Sequence, residues 1–182
     1  MTSISALNNI HKRGLFGDHQ GKDKNELTNV SEVKHLQIIQ IVQYKKSTIQ
    51  ISSLNLDNLQ FPEVPMQVHS NKETRILWSG PSNWLLVSTK KDILNSVQKI
   101  CDDKNFAVTD LSHSRAIIEL KGSNSKEVLK KGCPININEF KANNCANSVF
   151  HGITITIDMI NENPETFRIF ALRSFGESLY HS

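Results

Sequence analysis

Residues 153–159 alternate apolar and polar side chains, and this alternation constrains the fold more than any other feature of the sequence. In an extended strand successive side chains point to opposite faces, so the apolar odd-numbered positions predict one face that must be covered. Residues 167–172 form a second β-prone run beyond the short polar segment 161–164. The two runs therefore predict adjacent antiparallel strands packed against a core.

Other β-branched and amphipathic segments predict the rest of the secondary structure. Strands are predicted over 36–42, 47–52, 75–78, 84–88, 106–111 and 115–120, and helices over 90–102, 124–132 and 174–180. A short polar segment separates the first two strands, which predicts a hairpin. From residue 84 the order β-α-β-β-α-β-β-α predicts an α+β fold with antiparallel sheets and ferredoxin-like, split βαβ elements.

The N-terminal residues 1–34 differ from the rest of the chain because their glycines and charges interrupt any helical or strand period. They are expected to form a flexible N-terminal extension that buries no core of its own. The remaining domain, residues 35–182, is expected to contain a smaller lobe built around 36–80 and a main lobe over about 81–182.

The charge balance disfavours several classes of partner. The chain has 21 Lys and Arg against 18 Asp and Glu, a net charge of +3, and its basic doublets are far apart, which does not favour nucleic acid. No run approaches the roughly 18 apolar residues of a membrane span, and the start lacks the apolar block of a signal peptide. A cytoplasmic protein is expected. Cys101, Cys133 and Cys145, without a Cys-x-x-Cys pair, are expected to be reduced.

Asp110, Ser112 and His113 are the first candidates for chemistry, because Asp, Ser and His together can form an activated nucleophile. A triad needs these groups on separate elements in a directed hydrogen-bond chain, whereas here they are neighbours at the end of one predicted strand. The interpretation that we favour is a tight turn in which Asp110 or Ser112 caps the backbone.

Metal, nucleotide and thiol chemistry are the other candidates, and none has its usual spacing. His113 and His151 lack a His-x₃-His or Cys-x₂-Cys neighbour, and the dispersed glycines contain no phosphate-binding motif. Cys133 follows a predicted helix end, where the partial negative charge opposes a thiolate. Trp78 and Trp84 flank a turn and are expected to fill a core or a subunit interface. We therefore predict no catalytic, cofactor-binding or metal-binding residue in this chain.

Four segments together resemble one known protein family. They are 78–87 (WSGPSNWLLV), 110–116 (DLSHSRA), 129–135 (LKKGCPI) and 173–179 (RSFGESL). In this order they are similar to the gamma subunits of heterotetrameric sarcosine oxidases, and the similarity extends over about residues 36–182. That family in turn looks like a shortened relative of the folate-binding domain of aminomethyltransferases, which implies two small α/β lobes.

The resemblance implies a non-catalytic structural or assembly subunit of a flavin-dependent complex. By resemblance, the complex oxidatively demethylates sarcosine to glycine, passes the one-carbon unit to tetrahydrofolate and releases hydrogen peroxide. A related N-methyl amine remains an alternative substrate. The resemblance also implies alpha, beta and delta subunits as partners. FAD, FMN and NAD would be held by alpha and beta and zinc by delta, with no cofactor held by this chain.

One difference from the aminomethyltransferases bears on folate. Where their strand carries an adjacent acidic pair after a glycine, this chain has Gly152 followed by Ile153 and Thr154, with Asp158 later and alone. Folate chemistry by this subunit is therefore not expected. The alternative function, a free-standing folate-binding one-carbon protein of the aminomethyltransferase type, would need further domains to enclose the folate.

Overall fold

The computed structural model describes residues 4–11, 19–23 and 27–182, and the chain in it forms two compact units. Unit 1 contains the described residues up to Lys34 together with Ser114–Ala142 and Asn147–Ser182. Unit 2 contains His35–His113 and the short returning segment Asn143–Ala146. Each unit is therefore assembled from separate stretches of the sequence.

The described residues form strands and short helices in the following order. The strands are β1 (Asn29–Glu32), β2 (Gln37–Gln43), β3 (Asn55–Leu56), β4 (Leu59–Gln60), β5 (Val68–Ser70), β6 (Thr74–Gly80), β7 (Asn83–Ser88), β8 (Phe106–Asp110), β9 (Arg115–Lys121), β10 (Cys145–Phe150), β11 (Ile153–Glu162) and β12 (Glu165–Leu172). The helices are α1 (Ile93–Ile100), α2 (Ser125–Lys130) and α3 (Gly176–His181).

The sheet of unit 1 has five strands in the order β1-β9-β12-β11-β10. The predicted pairing of the two most regular strands is confirmed, with Ile157 in β11 opposite Ile169 in β12. β12 is antiparallel to both β9 and β11, so these two neighbours run parallel to each other. With α2 on the connection that leaves β9, this is a split βαβ arrangement, as the sequence predicts. Buried apolar side chains of unit 1 include Ile118, Leu120, Leu129, Ile137, Phe140, Met159, Phe167 and Leu179.

Unit 2 contains the second five-stranded sheet, in the order β5-β6-β7-β2-β8, and the small hairpin β3-β4. β2 lies between β7 and β8 and is antiparallel to both, and α1 connects these two parallel strands. The same split βαβ element therefore occurs in both units. One core cluster of unit 2 includes Ile39, Ile41, Leu56, Phe61, Ile76, Trp84, Leu86, Ile93, Val97 and Phe106.

The predicted hairpin between 36–42 and 47–52 is wrong. Both edges of β2 pair with other strands, β7 and β8, so no edge is left for residues 47–52. Instead Ile51–Ser53 forms a 3₁₀ turn, and Ile49 and Ile51 pack against the core cluster of unit 2. The β-branched pattern therefore correctly indicates burial, whereas the tertiary context decides the backbone conformation.

The predicted lobe boundary near residue 80 is also wrong. β6 and β7 form a hairpin across Gly80, with Trp78 opposite Trp84, so a boundary there would cut a hydrogen-bonded pair. Unit 2 instead continues through α1 and β8 to His113. The main lobe starts at Ser114 and takes in residues from the N-terminal region.

Parts of the expected N-terminal extension, residues 1–3, 12–18 and 24–26, lie outside the described residues. Among those described, Leu7 is fully buried and β1 pairs with β9, with Val30 opposite Leu120. The Val33 N–H then donates to the Ile117 carbonyl at 2.9 Å. The expectation that this region buries no core is therefore wrong for these residues. The sequence does not indicate their burial, because a single buried side chain such as Leu7 and one short strand produce no periodic pattern.

Gly122 precedes α2 at a close approach between two backbone segments of unit 1. Its φ is +144°, and a Cβ built on it would lie 2.6 Å from the Leu27 carbonyl oxygen. Gly152, at the turn between β10 and β11, also has a positive φ, +84°, but a Cβ there would meet no atom within 4 Å. An alanine at Gly152 would therefore meet backbone strain alone, whereas an alanine at Gly122 would meet both strain and a steric clash.

We expect Gly122→Ala to lower the free energy of unfolding by about 3 kcal/mol or more, because strain and a backbone clash add together. The control Gly152→Ala should cost only about 1–2 kcal/mol from the left-handed backbone. Urea unfolding of the full chain measures both. Equal losses for the two variants would contradict the close approach of Leu27 to Gly122.

We expect Leu7→Ala to destabilise unit 1 by about 2–5 kcal/mol through the cavity that it leaves. Leu7 contacts the start of α3, where a Cβ on Gly176 would lie 3.7 Å from the Leu7 Cδ2. Ile4→Ala is the matched control, since Ile4 is 70% exposed. Thermal unfolding that is unchanged by Leu7→Ala would show that this segment does not contribute to the core.

Candidate functional site

Asp110 and Ser112 form a local turn at the end of β8. The Ser112 hydroxyl and N–H both donate to Asp110 Oδ1, at 2.6 and 2.9 Å, and the hydroxyl oxygen accepts the Ile38 N–H at 3.0 Å. The hydrogen bonds from Ser112, together with the nearby His113, hold the pKa of Asp110 below its usual value. The Ser112 hydroxyl donates to a carboxylate rather than to an imidazole base, so the geometry is that of a turn and not of a triad.

The three cysteines are buried, Cys133 in unit 1 and Cys101 and Cys145 in unit 2. Burial, with a smaller contribution from Asp102, raises the pKa of Cys101 to about 12, and burial raises that of Cys133 to about 11. The Cys145 thiol contacts the carbonyl oxygens of Gln67 and Trp78 at 3.6 and 3.3 Å. Because the thiolate is the reactive form, Cys101 and Cys133 are suited to packing rather than to nucleophilic or metal chemistry.

The described residues contain no group of three or more His, Cys, Asp or Glu side chains that could hold a metal ion. Of the two histidines considered from the sequence, His151 stacks edge-on against Phe150 with ring centroids 4.7 Å apart. His113 is the exposed neighbour of the Asp110 turn.

Trp84 fills the core of unit 2. It is 3% exposed, packs edge-on against Phe61 with ring centroids 5.4 Å apart, and donates its Nε1–H to the Pro62 carbonyl at 2.7 Å. Of the two expected roles, core filling therefore describes Trp84. Its cross-strand partner Trp78 is only half-buried.

A polar cluster around Asp57 was not predicted from the sequence. Asp57 lies in the β3-β4 turn with a φ of +55°, and its carboxylate accepts hydrogen bonds from Lys90 and, at 2.5 Å, from the buried Thr74 hydroxyl. Thr74 in turn lies 2.9 Å from the buried Ser88 hydroxyl. Although partial burial opposes it, hydrogen bonds from Lys90, Thr74 and Asn71 lower the pKa of Asp57. The cluster connects the hairpin to β6 and β7, which is a structural role.

Two open surface depressions lie in unit 2. One, of about 450 Å³, is lined mainly by polar side chains of β4 and β5, where His69 Nδ1 lies 2.7 Å from the Gln60 carbonyl oxygen. The other, of about 410 Å³, borders α1 and β8 and includes Cys101 and Asp102. Neither carries a pair of titratable groups arranged for proton transfer among the described residues.

Asp158 is the acidic residue that follows Gly152 on the strand where the sequence lacks an adjacent acidic pair. It is fully buried on β11 and lies opposite Arg168 of β12. Arg168 lies opposite Glu119 of β9 and donates its Nε–H to that carboxylate at 2.9 Å. Asp158 therefore belongs to a row of alternating charges across three strands, which stabilises the sheet.

Two of the four segments that carry the family resemblance meet at one edge of unit 1. Leu172, at the end of β12, lies opposite Arg115, at the start of β9, and the Arg173 N–H donates to the Ser114 carbonyl at 2.9 Å. Leu172 and Phe175 are each 46% exposed. We refer to Arg115, Leu172, Arg173 and Phe175 as the Arg115 surface.

No helix in the described part of the chain has the length and apolar character needed to span a bilayer.

Comparison with known families gives one clear result. Residues 51–181 match the model of the sarcosine oxidase, gamma subunit family. The curated sarcosine oxidase subunit gamma of Corynebacterium sp. strain U-96 is 29% identical over 111 residues, which are 59% of this chain and 53% of that protein. The subunit gamma of strain P-1 is 25% identical over 122 residues, 65% of this chain and 59% of that protein. In these matches the chain spans about half the length of its curated relatives.

Solved structures show the same fold. A chain of the heterotetrameric sarcosine oxidase from Corynebacterium sp. U-96, in complex with pyrrole 2-carboxylate, superposes with a TM-score of 0.74 at 22% identity, covering 85% of this chain and 80% of that chain. The glycine cleavage system aminomethyltransferase T from Bartonella henselae gives 0.59 at 12% identity, covering 85% and 44%. The predicted likeness to both folds is confirmed.

We expect the thiols to be unreactive in the native chain at pH 8, because a pKa of about 11 leaves Cys133 ~0.1% ionised. Labelling with a disulfide reagent should be slow in buffer and fast in urea. Because burial raises the pKa of Cys101 and Cys133, their contribution to the free energy of unfolding is fully present below about pH 9. It is lost as the pH rises towards 11 and 12. A thiol that labels in the native chain as fast as in urea would contradict this assignment.

Proposed function

Because the chain belongs to the sarcosine oxidase gamma subunit family, we propose that it is a non-catalytic structural subunit of a heterotetrameric sarcosine oxidase. The complex oxidatively demethylates its substrate, which is sarcosine or a related N-methyl amine. With sarcosine the demethylated product is glycine. The one-carbon unit passes to tetrahydrofolate, and the electrons pass through flavin to oxygen, which gives hydrogen peroxide. The contribution of this chain is to bind and stabilise its partner subunits.

The proposed partners are the alpha, beta and delta subunits, in a cytoplasmic complex. FAD, FMN and NAD belong to alpha and beta, and zinc belongs to delta. The residues of this chain do not fit these groups: the Cys101 and Cys133 thiols are kept protonated by burial, and Asp158 is enclosed opposite Arg168. No step of the reaction is therefore assigned to this chain.

The observation that carries the proposal is the family match over residues 51–181. The Asp110–Ser112 turn supports it, because the Ser112 hydroxyl donates to Asp110 and accepts the Ile38 N–H, which is not the arrangement of an activated nucleophile. The alternative, a free-standing folate-binding one-carbon protein, has only a likeness of fold behind it, at 12% identity. A shared fold does not by itself transfer an activity.

The test is co-expression of this chain with the alpha, beta and delta subunits of its own source. We expect the chain to co-purify with them in equimolar amount and the complex to release hydrogen peroxide when sarcosine is added. The isolated chain should show no flavin absorbance and no sarcosine-dependent peroxide.

The control is the same preparation from which only this chain is omitted. A complex that assembles to the same yield and activity without the chain would refute the assembly role. Stoichiometric flavin in the isolated chain would refute its non-catalytic character.

A further inference from the structure

We propose that the Arg115 surface of unit 1 is a docking site for an acidic segment of a partner subunit, one that places a carboxylate against the guanidinium groups and apolar side chains against Leu172 and Phe175. This inference rests on the proposed function, and it specifies where on the chain a partner binds and with which chemistry.

The first support is the electrostatic state of Arg115. Its Nη1 donates only to the Ser114 hydroxyl at 3.2 Å and, weakly, to the Ser114 carbonyl at 3.5 Å. No carboxylate of the described residues lies within 4.0 Å of this group. Burial without an opposite charge lowers the pKa of Arg115 from its usual value. A half-buried guanidinium whose other donors have no acceptor among the described residues is suited to a carboxylate supplied from outside.

The second support is the neighbouring Arg173. Its backbone N–H is fixed on Ser114, and its Nη2 donates to the Ile4 carbonyl, a neutral acceptor. The exposed Glu177 follows one turn later, yet neither guanidinium forms an ion pair with it or with another described carboxylate. In the described part of the chain, both arginines therefore lack a paired anion.

The third support is the apolar component of the same surface. Leu172 lies directly opposite Arg115, which places their Cβ atoms about 4.5–5.5 Å apart. Phe175 follows three residues later, in the 3₁₀ turn that leads into α3. Arginine and aromatic side chains are enriched in the parts of protein interfaces that contribute most of the binding energy. A segment that combines carboxylates with apolar side chains complements this surface.

Strand pairing and helix packing fix the backbone of the Arg115 surface, so a partner can bind without a large loss of conformational entropy in this chain. The β9-β12 pairing continues to its last residue pair, and Gly176 at the start of α3 packs against Ala116, with a built Cβ 3.0 Å from the Ala116 Cβ. Groups that are pre-positioned in this way lose little conformational entropy on association.

The test compares capture by the co-expressed alpha, beta and delta subunits. The double variant Arg115→Gln with Arg173→Gln should be captured about tenfold less well than the unchanged chain, because it lacks both charges. Lys131→Glu is the matched control, since Lys131 is an exposed cation of the same unit outside the surface. Capture of the unchanged chain should also weaken between about 50 and 500 mM salt, and that of the double variant much less.

Phe175→Ala tests the apolar component, with Val30→Ala, at an exposed valine of the same unit, as its control. We expect capture to fall for Phe175→Ala and not for Val30→Ala. Thermal unfolding of each isolated chain shows whether it folds. If the double variant does not fold, Arg173→Gln and Phe175→Ala decide the question.

Three outcomes would overturn the proposal. If all variants are captured as well as the unchanged chain, the docking site is wrong while the assembly function stands. If the unchanged chain is not captured at all, the assembly function fails, and the docking site fails with it. If the isolated chain forms a dimer that the double variant abolishes, the surface binds a second copy instead of an acidic partner segment.

Discussion

In each unit one strand lies between two strands that are joined by a helix-containing connection, and the rest of the unit depends on its pairing with both. β2 occupies that position between β7 and β8, and β12 occupies it between β9 and β11. Such a strand satisfies the backbone N–H and C=O groups along one edge of each neighbour, which would be costly to leave unpaired in a core. Both strands are distant in sequence from at least one partner. The sheets therefore form only when residues far apart in the chain come together.

The strands with a clear period were predictable, and those without one were not. β11 has ten residues and pairs with β12 as its alternation predicts, and the Trp78–Trp84 hairpin follows from its turn residues. β1, β5 and β10 escape prediction because they are short or alternate weakly. Residues 47–52 carry a β-like pattern yet form no strand, because β2 already has two partners. The local sequence pattern therefore predicts which residues are buried more reliably than it predicts which strands pair.

The chemistry of the candidate residues was more predictable than their surroundings. The sequence already favours a turn for Asp110 and Ser112, and the observed hydrogen bonds have that geometry. The Asp57 cluster could not be anticipated, because Thr74 and Lys90 reach Asp57 only through the folded hairpin. The same reason applies to the Arg115 surface. Its two segments, around residues 115 and 173, become neighbours only when β9 pairs with β12.

The chain shares a fold with an aminomethyltransferase, while the charges on its strands favour structural stability. In β11 the residues after Gly152 are Ile153 and Thr154, and Asp158 is buried opposite Arg168. A carboxylate in that position lies in a row of alternating charges with Glu119, so it is not presented to a ligand. Breaking such a row by removing one member leaves a buried charge uncompensated, which is strongly destabilising. In contrast, the Arg115 side chain at the start of β9 in the same sheet has no paired carboxylate within the described chain. The sheet thus places charges of opposite sign side by side in its middle and leaves cations without a paired carboxylate where β9 begins and β12 ends, a distribution that agrees with the proposed assembly role.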